Sequence, residues 1–271
     1  MPVRNSRRIA NPRRYGQNFL TDDTILQRIV DHAALRKDET ILEVGAGTGN
    51  LTTVIRRHTN KAIAVENDHR LVGILRTRFQ GDDNVEIIEG DILKIALPAF
   101  DKVVANPPYN ISSKLIFLLL EKKFSSMTMV LQKEFASRLV AEAGSADYGR
   151  LTVAVNHKAN VELLDFVPRT AFRPIPEVDS QIVRIVPKAR IAPVNEVFLH
   201  QMMRYLFSQR RRTLRGVLRR ATETIAKESL GKIIEPKDLL ERRVFQLTTS
   251  EFEHLSNLLY PQRKILKQLS K

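Results

Sequence analysis

Between residues 41 and 131, short runs of apolar residues alternate with segments in which apolar residues recur every three or four positions. The runs Ile41–Val44, Ala62–Val65, Val85–Ile88, Lys102–Ala105 and Thr128–Leu131 read as buried strands. Between them, Leu51, Val54 and Ile55 mark one helix, Leu71, Ile74 and Leu75 a second, and Ser112–Glu121 a third. Strands alternating with helices of this length predict βαβ units, hence an α/β fold with a doubly wound, mostly parallel sheet. Ahead of them, Thr21–Ala34 reads as an amphipathic helix carrying Ile25, Ile29 and Val30 on one face. The runs Leu151–Val155 and Ile182–Val186 read as late strands able to close the sheet as an antiparallel edge. After Pro187 the pattern becomes helical throughout, over 195–207, 209–222, 236–243, 251–258 and 262–270. Pro236 and Pro261 fall where first-turn prolines belong, and Ser250 with Glu253 fits a capping box. The boundary is expected near 189, with an α/β domain over 1–189 and a smaller all-helical domain over 190–271.

Charge sharpens this division. The net charge of +14 is not spread evenly. Residues 1–20 carry five Arg and no acid, residues 190–271 carry 17 Lys and Arg against 8 acids, and residues 21–189 carry 22 of each. A neutral block with basic ends suits a catalytic domain whose flanks hold a polyanion, nucleic acid above all. General solubility is the alternative, but evenly spread charge serves that equally well. No apolar run is long enough to span a bilayer. The Arg-rich start lacks the apolar stretch of a secretory signal. The absence of cysteine rules out disulfides and thiol nucleophiles, and a reducing, cytoplasmic setting is the expectation.

Candidate chemistry sits at predicted strand ends. Glu43-Val44-Gly45-Ala46-Gly47-Thr48-Gly49 is a glycine turn that lets backbone approach a ligand. Glu66, about 20 residues on, sits where an acid commonly grips a ribose diol. Asp91 ends the next strand and is suited to accept from an adenine amine. Each has a plainer reading: a dinucleotide turn, a solvated strand end, a helix cap. Asn106-Pro107-Pro108-Tyr109 then follows Val103–Ala105, and outside a strand context it would read as a turn. In this order, however, the four features suit S-adenosylmethionine and a flat amine. The Asn106 side-chain oxygen and the Pro107 carbonyl would accept the two N–H groups of the amine, and the Tyr109 ring would stack on it. Six His without Cys exclude the zinc deaminase pattern, no His cluster has zinc spacing, and no serine nucleophile elbow occurs, so no metal is expected.

With these residues in place, the chain resembles the KsgA/Dim family of small-subunit ribosomal RNA adenine dimethyltransferases over nearly its full length. The resemblance is carried by Gly16-Gln17-Asn18-Phe19-Leu20, Glu43–Gly49, Glu66, Gly90-Asp91, Asn106–Ser112 and Phe172–Ser180, the last matching F-x-P-x-P-x-V-x-S. It extends to Phe207-Ser208-Gln209-Arg210-Arg211-Arg212-Thr213-Leu214-Arg215, similar to the family's RNA-contacting helix. The resemblance implies a Rossmann-like class I methyltransferase that dimethylates adenines of small-subunit rRNA during ribosome biogenesis. It implies cofactor contacts from Asn18, Leu20, Gly45, Glu66, Asp91 and Asn106, and base contacts from Asn106, Tyr109 and Phe172, with Phe172 stacking opposite Tyr109. RNA contacts are expected from Arg210, Arg211, Arg212 and Arg215. The implied partners are ribosomal RNA and the immature small subunit; no membrane and no second copy of the chain are expected. Pro107 replaces the family's usual Leu or Ile, a form commoner in DNA adenine and protein glutamine methyltransferases, but its carbonyl is retained. Alternatives are a large-subunit rRNA methyltransferase of the macrolide-resistance type, and an assembly factor whose binding outweighs catalysis.

Overall fold

The structure, a computed structural model, describes residues 18–189, 191–221 and 237–263. Its chain divides into two compact units, residues 1–136 with 162–187 and residues 137–161 with 188–271.

The first unit holds the expected sheet. Strands β2 (Thr40–Val44), β3 (Lys61–Glu66), β4 (Val85–Glu89), β5 (Lys102–Ala105) and β6 (Ser126–Gln132) run parallel in the spatial order β4-β3-β2-β5-β6. The central strands are apolar throughout because helices cover both faces, which removes the alternation of a half-exposed strand. Helices α1 (Asp23–Ala33), α2 (Asn50–Ile55), α3 (His69–Arg78) and α4 (Ser112–Leu120) supply that cover. In α1 the Asp22 side chain caps Thr24 and Ile25 N–H, Ala34 ends the helix in the left-handed region, and Ile25, Leu26, Ile29, Val30 and Ala33 are buried. A two-residue strand β1 (Phe19–Leu20) pairs with β8 (Phe172–Arg173), and β9 (Ser180–Pro187) pairs antiparallel with β6.

Two expectations for late strands change. Strand β9 is antiparallel as expected but interior, because β7 (Ala159–Val167) lies outside it at the edge. The run Leu151–Val155 is not a strand: it lies within helix α6 (Arg150–Lys158), following α5 (Lys133–Leu139). The run is rich in β-branched residues, and α6 buries Thr152, Val153, Ala154, Val155, His157 and Lys158, so burial around most of the helix erases its period.

The second unit begins with Ser137–Val161 and so is larger than the 190–271 expected. Its helices include α7 (Glu196–Phe207), α8 (Leu214–Ala221) and α9 (Thr249–Leu259). Phe207 stacks on Phe252 at 5.2 Å between ring centroids, and the Tyr148 hydroxyl donates to the Leu247 carbonyl at 2.6 Å. The helix expected over 209–222 starts only at Leu214, because the preceding backbone bonds to a neighbouring segment: Leu214 N–H to Arg242 O (2.8 Å), Val244 N–H to Arg212 O (3.0 Å) and Phe245 N–H to Arg210 O (3.1 Å). Over 236–243 only a short 3₁₀ turn, Lys237–Leu240, forms. Pro261 lies in the 3₁₀ turn Tyr260–Gln262. Pro236 and nearly all of the expected 262–270 helix lie outside the described residues. The α9 capping box uses Thr248 and Glu251, two positions earlier than expected. Glu253, the expected partner, instead bonds His157 Nδ1 at 2.8 Å.

Candidate active site

Strand order reverses between β2 and β5, the switch point where ligands of open α/β sheets bind. A cavity of about 250 Å³ opens there at the carboxyl ends of β2, β3, β4 and β5. Its lining includes Asn18, Leu20, Gly45, Glu66, Asp91 and Asn106, so all six expected cofactor-contacting residues converge on it.

The glycine turn after β2 shapes one wall. Gly45 has φ +75° and donates its N–H to Val65 O at 2.9 Å. A Cβ on Gly45 would lie 3.5 Å from Pro108 Cδ, so this turn lies directly against the Asn-Pro-Pro-Tyr loop. Gly47, at φ +60°, presents its face to Phe19, whose ring would stand 3.1 Å from an added Cβ. Both positions favour glycine for backbone conformation, and Gly47 for space as well.

Four acidic groups line the cavity, and the three from the expected motifs are in different states. Glu66 is buried and accepts from Gly47 N–H (2.9 Å), Asn67 N–H (2.8 Å) and Asp68 N–H (2.9 Å). A carboxylate offers about four lone-pair sites, so three fixed donors leave it aimed with room for one more, such as a hydroxyl of a ribose. Asp91 accepts from Leu93 N–H at 3.1 Å and pairs with Lys94 at 3.3 Å. The Leu93 bond foremost holds its carboxyl below the usual range. It both caps the following turn and faces the cavity, so its two readings coexist. Glu43 is fully buried, and its Oε2 lacks a hydrogen-bond partner among the described residues. Burial, with the neighbouring Glu66 charge adding to it, pushes its carboxyl up to about 8.

Asp68 is a lining residue that the sequence reading missed. Its side chain caps α3 through Arg70 N–H and pairs with the Arg70 guanidinium, which holds its carboxyl below the usual range. An Asp just before an apolar-periodic segment was the available signal.

The Asn-Pro-Pro-Tyr loop forms the opposite wall. Asn106, half-buried at the end of β5, points Nδ2 at Asn18 O (3.5 Å), which leaves Oδ1 as its acceptor end. Tyr109 opens a 3₁₀ turn, Tyr109–Ile111, and its hydroxyl bonds Ser180 Oγ at 2.8 Å; burial raises its phenol pKa. Phe172 departs from expectation. Its side chain is 0% exposed, packed among Leu20, Leu26, Ile29 and Ile182, so it is a core residue here and not a rim aromatic facing Tyr109. Phe172 is itself part of the β1–β8 pairing, opposite Leu20, and shares a core cluster with Leu26 and Ile29 of α1, where burial of a large ring outweighs leaving it on the surface.

Gly16 and Gln17 of the opening motif lie outside the described residues, as do the five arginines before them. Of the expected RNA-contacting arginines, Arg211 and Arg212 are exposed. Arg210 donates to Ala146 O (3.0 Å) and Ser145 O (3.1 Å) and lies over the Phe245 ring. Arg215 pairs with Glu241 at 2.5 Å. Among the described residues no group of three or more His, Asp or Glu could hold a metal, and no helix is long and apolar enough to cross a membrane.

These features fit S-adenosylmethionine: glycines at positive φ approach closely, one buried carboxylate has spare acceptor capacity for a diol, and a second suits an amine. Comparison with known proteins agrees. The profile of the family described as ribosomal RNA adenine dimethylase matches residues 9–257. The probable ribosomal RNA small subunit methyltransferase A of Methanosarcina mazei is 40% identical over 249 residues, covering 91% of this chain and 92% of the relative. The protein of the same name from Methanothermobacter thermautotrophicus is 39% identical over 253 residues, covering 91% of each. Among solved structures, a dimethyladenosine transferase from Plasmodium falciparum aligns with TM-score 0.79 at 32% identity, covering 91% of this chain and 98% of that one. The 23S rRNA methyltransferase ErmE aligns with TM-score 0.67 at 28% identity, covering 90% and 100%.

Proposed function

The chain belongs to the ribosomal RNA adenine dimethylase family, and we propose that it transfers methyl groups from S-adenosylmethionine to the N6 amine of adenines in small-subunit ribosomal RNA, two per base. The supporting observation is the contact of the glycine turn with the Asn-Pro-Pro-Tyr loop, which brings a nucleoside-binding wall and an amine-binding wall to one cavity.

When bound, S-adenosylmethionine supplies an electrophilic methyl on a sulfonium. The chain's part is placement. Glu66 and Asp91 hold the nucleoside by a hydroxyl and an amine. Asn106 Oδ1 and the Pro107 carbonyl accept the N–H bonds of the target amine, whose lone pair is otherwise delocalised into the ring. Holding both N–H bonds favours a pyramidal nitrogen with its lone pair directed at the methyl. The alkylated amine is acidic, so no strong base is needed. Tyr109 stacks on a base splayed out of a loop or single strand. The immature small subunit is the proposed substrate, met by single copies of the enzyme in the cytoplasm.

The test is methyl transfer from labelled S-adenosylmethionine to unmodified small subunits, large subunits, naked rRNA and DNA, read by nucleoside mass spectrometry. Dimethyladenosine confined to small-subunit RNA is expected, with Asn106→Ala losing at least about a hundredfold in rate while still binding cofactor. Wild-type turnover in that variant would remove the clamp from the mechanism. A large-subunit substrate is the second reading, favoured by the alignment with ErmE; label in large-subunit RNA alone would select it.

A further inference from the structure

The late segment that ends at Ser180 was expected to act on the target base through Phe172, yet that ring is in the core. The same segment reaches the site by another atom. Ser180 Oγ lies 2.8 Å from the Tyr109 hydroxyl, across 71 residues of sequence. Ser180 is 0% exposed and is the first residue of β9, where it pairs with Gln132 of β6. The adjoining backbone is tied down by the bond from Lys133 N–H to Asp179 O at 3.0 Å. Tyr109, by contrast, lies in a single 3₁₀ turn that no sheet partner holds. Its ring turns about two side-chain torsions, the second of which is broad for an aromatic. The hydroxyl lies on the axis of the second torsion, so its bond to a sheet-anchored hydroxyl fixes the position of the ring's far end, and with it the first torsion.

We propose that Ser180 is a positioning residue for methyl transfer, fixing the position of the Tyr109 ring against which the target adenine stacks. This rests on the function proposed above, with Tyr109 as the stacking residue. It gives the serine of the late segment a reason independent of Phe172: the segment supplies the anchor of the base-stacking ring and leaves its large aromatic in the core. A hydroxyl pair buried only for stability would affect folding alone. A positioning pair affects turnover on RNA while cofactor binding stays constant.

The test is a double-mutant cycle on methyl transfer to unmodified small subunits with Ser180→Ala, Tyr109→Phe and both together, alongside calorimetric titration of S-adenosylmethionine and thermal unfolding. Each single variant keeps the ring and breaks the same bond. Each is expected to lose about three- to tenfold in kcat/KM, the loss usual for one hydrogen bond, with cofactor affinity unchanged and the assay run well below unfolding. The double variant is expected to be no slower than the slower single, since the bond can be lost only once. Losses that multiply in the double variant overturn the proposal, as does Tyr109→Phe at wild-type rate, a result readable even where Ser180→Ala folds poorly. No transfer by the wild-type protein to any RNA refutes the proposed function instead.

Discussion

At the residue scale, the most unusual group is Glu43, a carboxyl sealed beneath the glycine turn with one oxygen unpartnered. In the unfolded chain it titrates near its ordinary 4.5, in the folded protein at about 8. Between those values the folded state holds one more proton than the unfolded state, so stability falls as pH rises through the interval and levels off above it. The slope reaches about 1.4 kcal/mol per pH unit. Glu43→Gln is neutral at every pH and removes this dependence. Urea midpoints measured from about pH 5 to about pH 8 should therefore decline more steeply for the wild type than for the variant; parallel profiles would mean that Glu43 is not protonated in the fold. Sequence showed Glu43 only as the first letter of a glycine motif. Its burial follows from the flanking strands, β3 and β5, which no local pattern reveals. Phe172 escaped in the opposite direction: it belonged to a recognisable functional segment, and that membership concealed a core position set by its pairing with Leu20.

At the scale of elements, the parallel strands and α1 through α4 were legible because each couples a clear period to a turn or cap. The misreadings share a cause, which is competition between equally good local signals. Leu151–Val155 satisfies strand chemistry and buried-helix chemistry alike, and packing around most of α6 decided for helix. The start of α9 offers two overlapping Ser/Thr-x-x-Glu matches, Thr248–Glu251 and Ser250–Glu253. The first one caps, because Glu253 is committed to buried His157. That choice has a measurable consequence. Thr248→Ala removes the acceptor for Glu251 N–H and the hydroxyl's own bond to the Glu251 carboxylate, leaving only the bond from the Thr248 backbone N–H, and should lower stability by about 1 kcal/mol. Ser250→Ala should change it by less than about 0.5 kcal/mol. Equal losses would show that the box, as placed, does not hold the helix.

At the scale of the whole molecule, the sequence places the basic excess at the two ends of the chain but cannot sort its arginines. A run of Arg looks uniform in sequence, whereas the fold divides it. Arg210 is committed to two carbonyls and an aromatic ring, and Arg215 to Glu241. Arg211 and Arg212 stay exposed because the backbone on either side is held by bonds to Val244 and Phe245, which turns those side chains outward instead of placing them on a helix stripe. Phosphate contacts release counterions, so the salt dependence of RNA affinity counts them. Arg211→Ala and Arg212→Ala should each weaken rRNA binding across sequences and lower the slope of log affinity against log salt by about 0.7 to 0.9, without lowering thermal stability. Arg210→Ala should do the reverse, costing about 1 kcal/mol through its lost bonds to the part-buried and exposed carbonyls of Ser145 and Ala146 and altering the slope little. Filter binding over a salt series, paired with thermal unfolding, reads both quantities. A full slope change in Arg210→Ala and none in its neighbours would mean that RNA binding pulls Arg210 away from Ser145 and Ala146, and that the exposed pair is only a solvated surface.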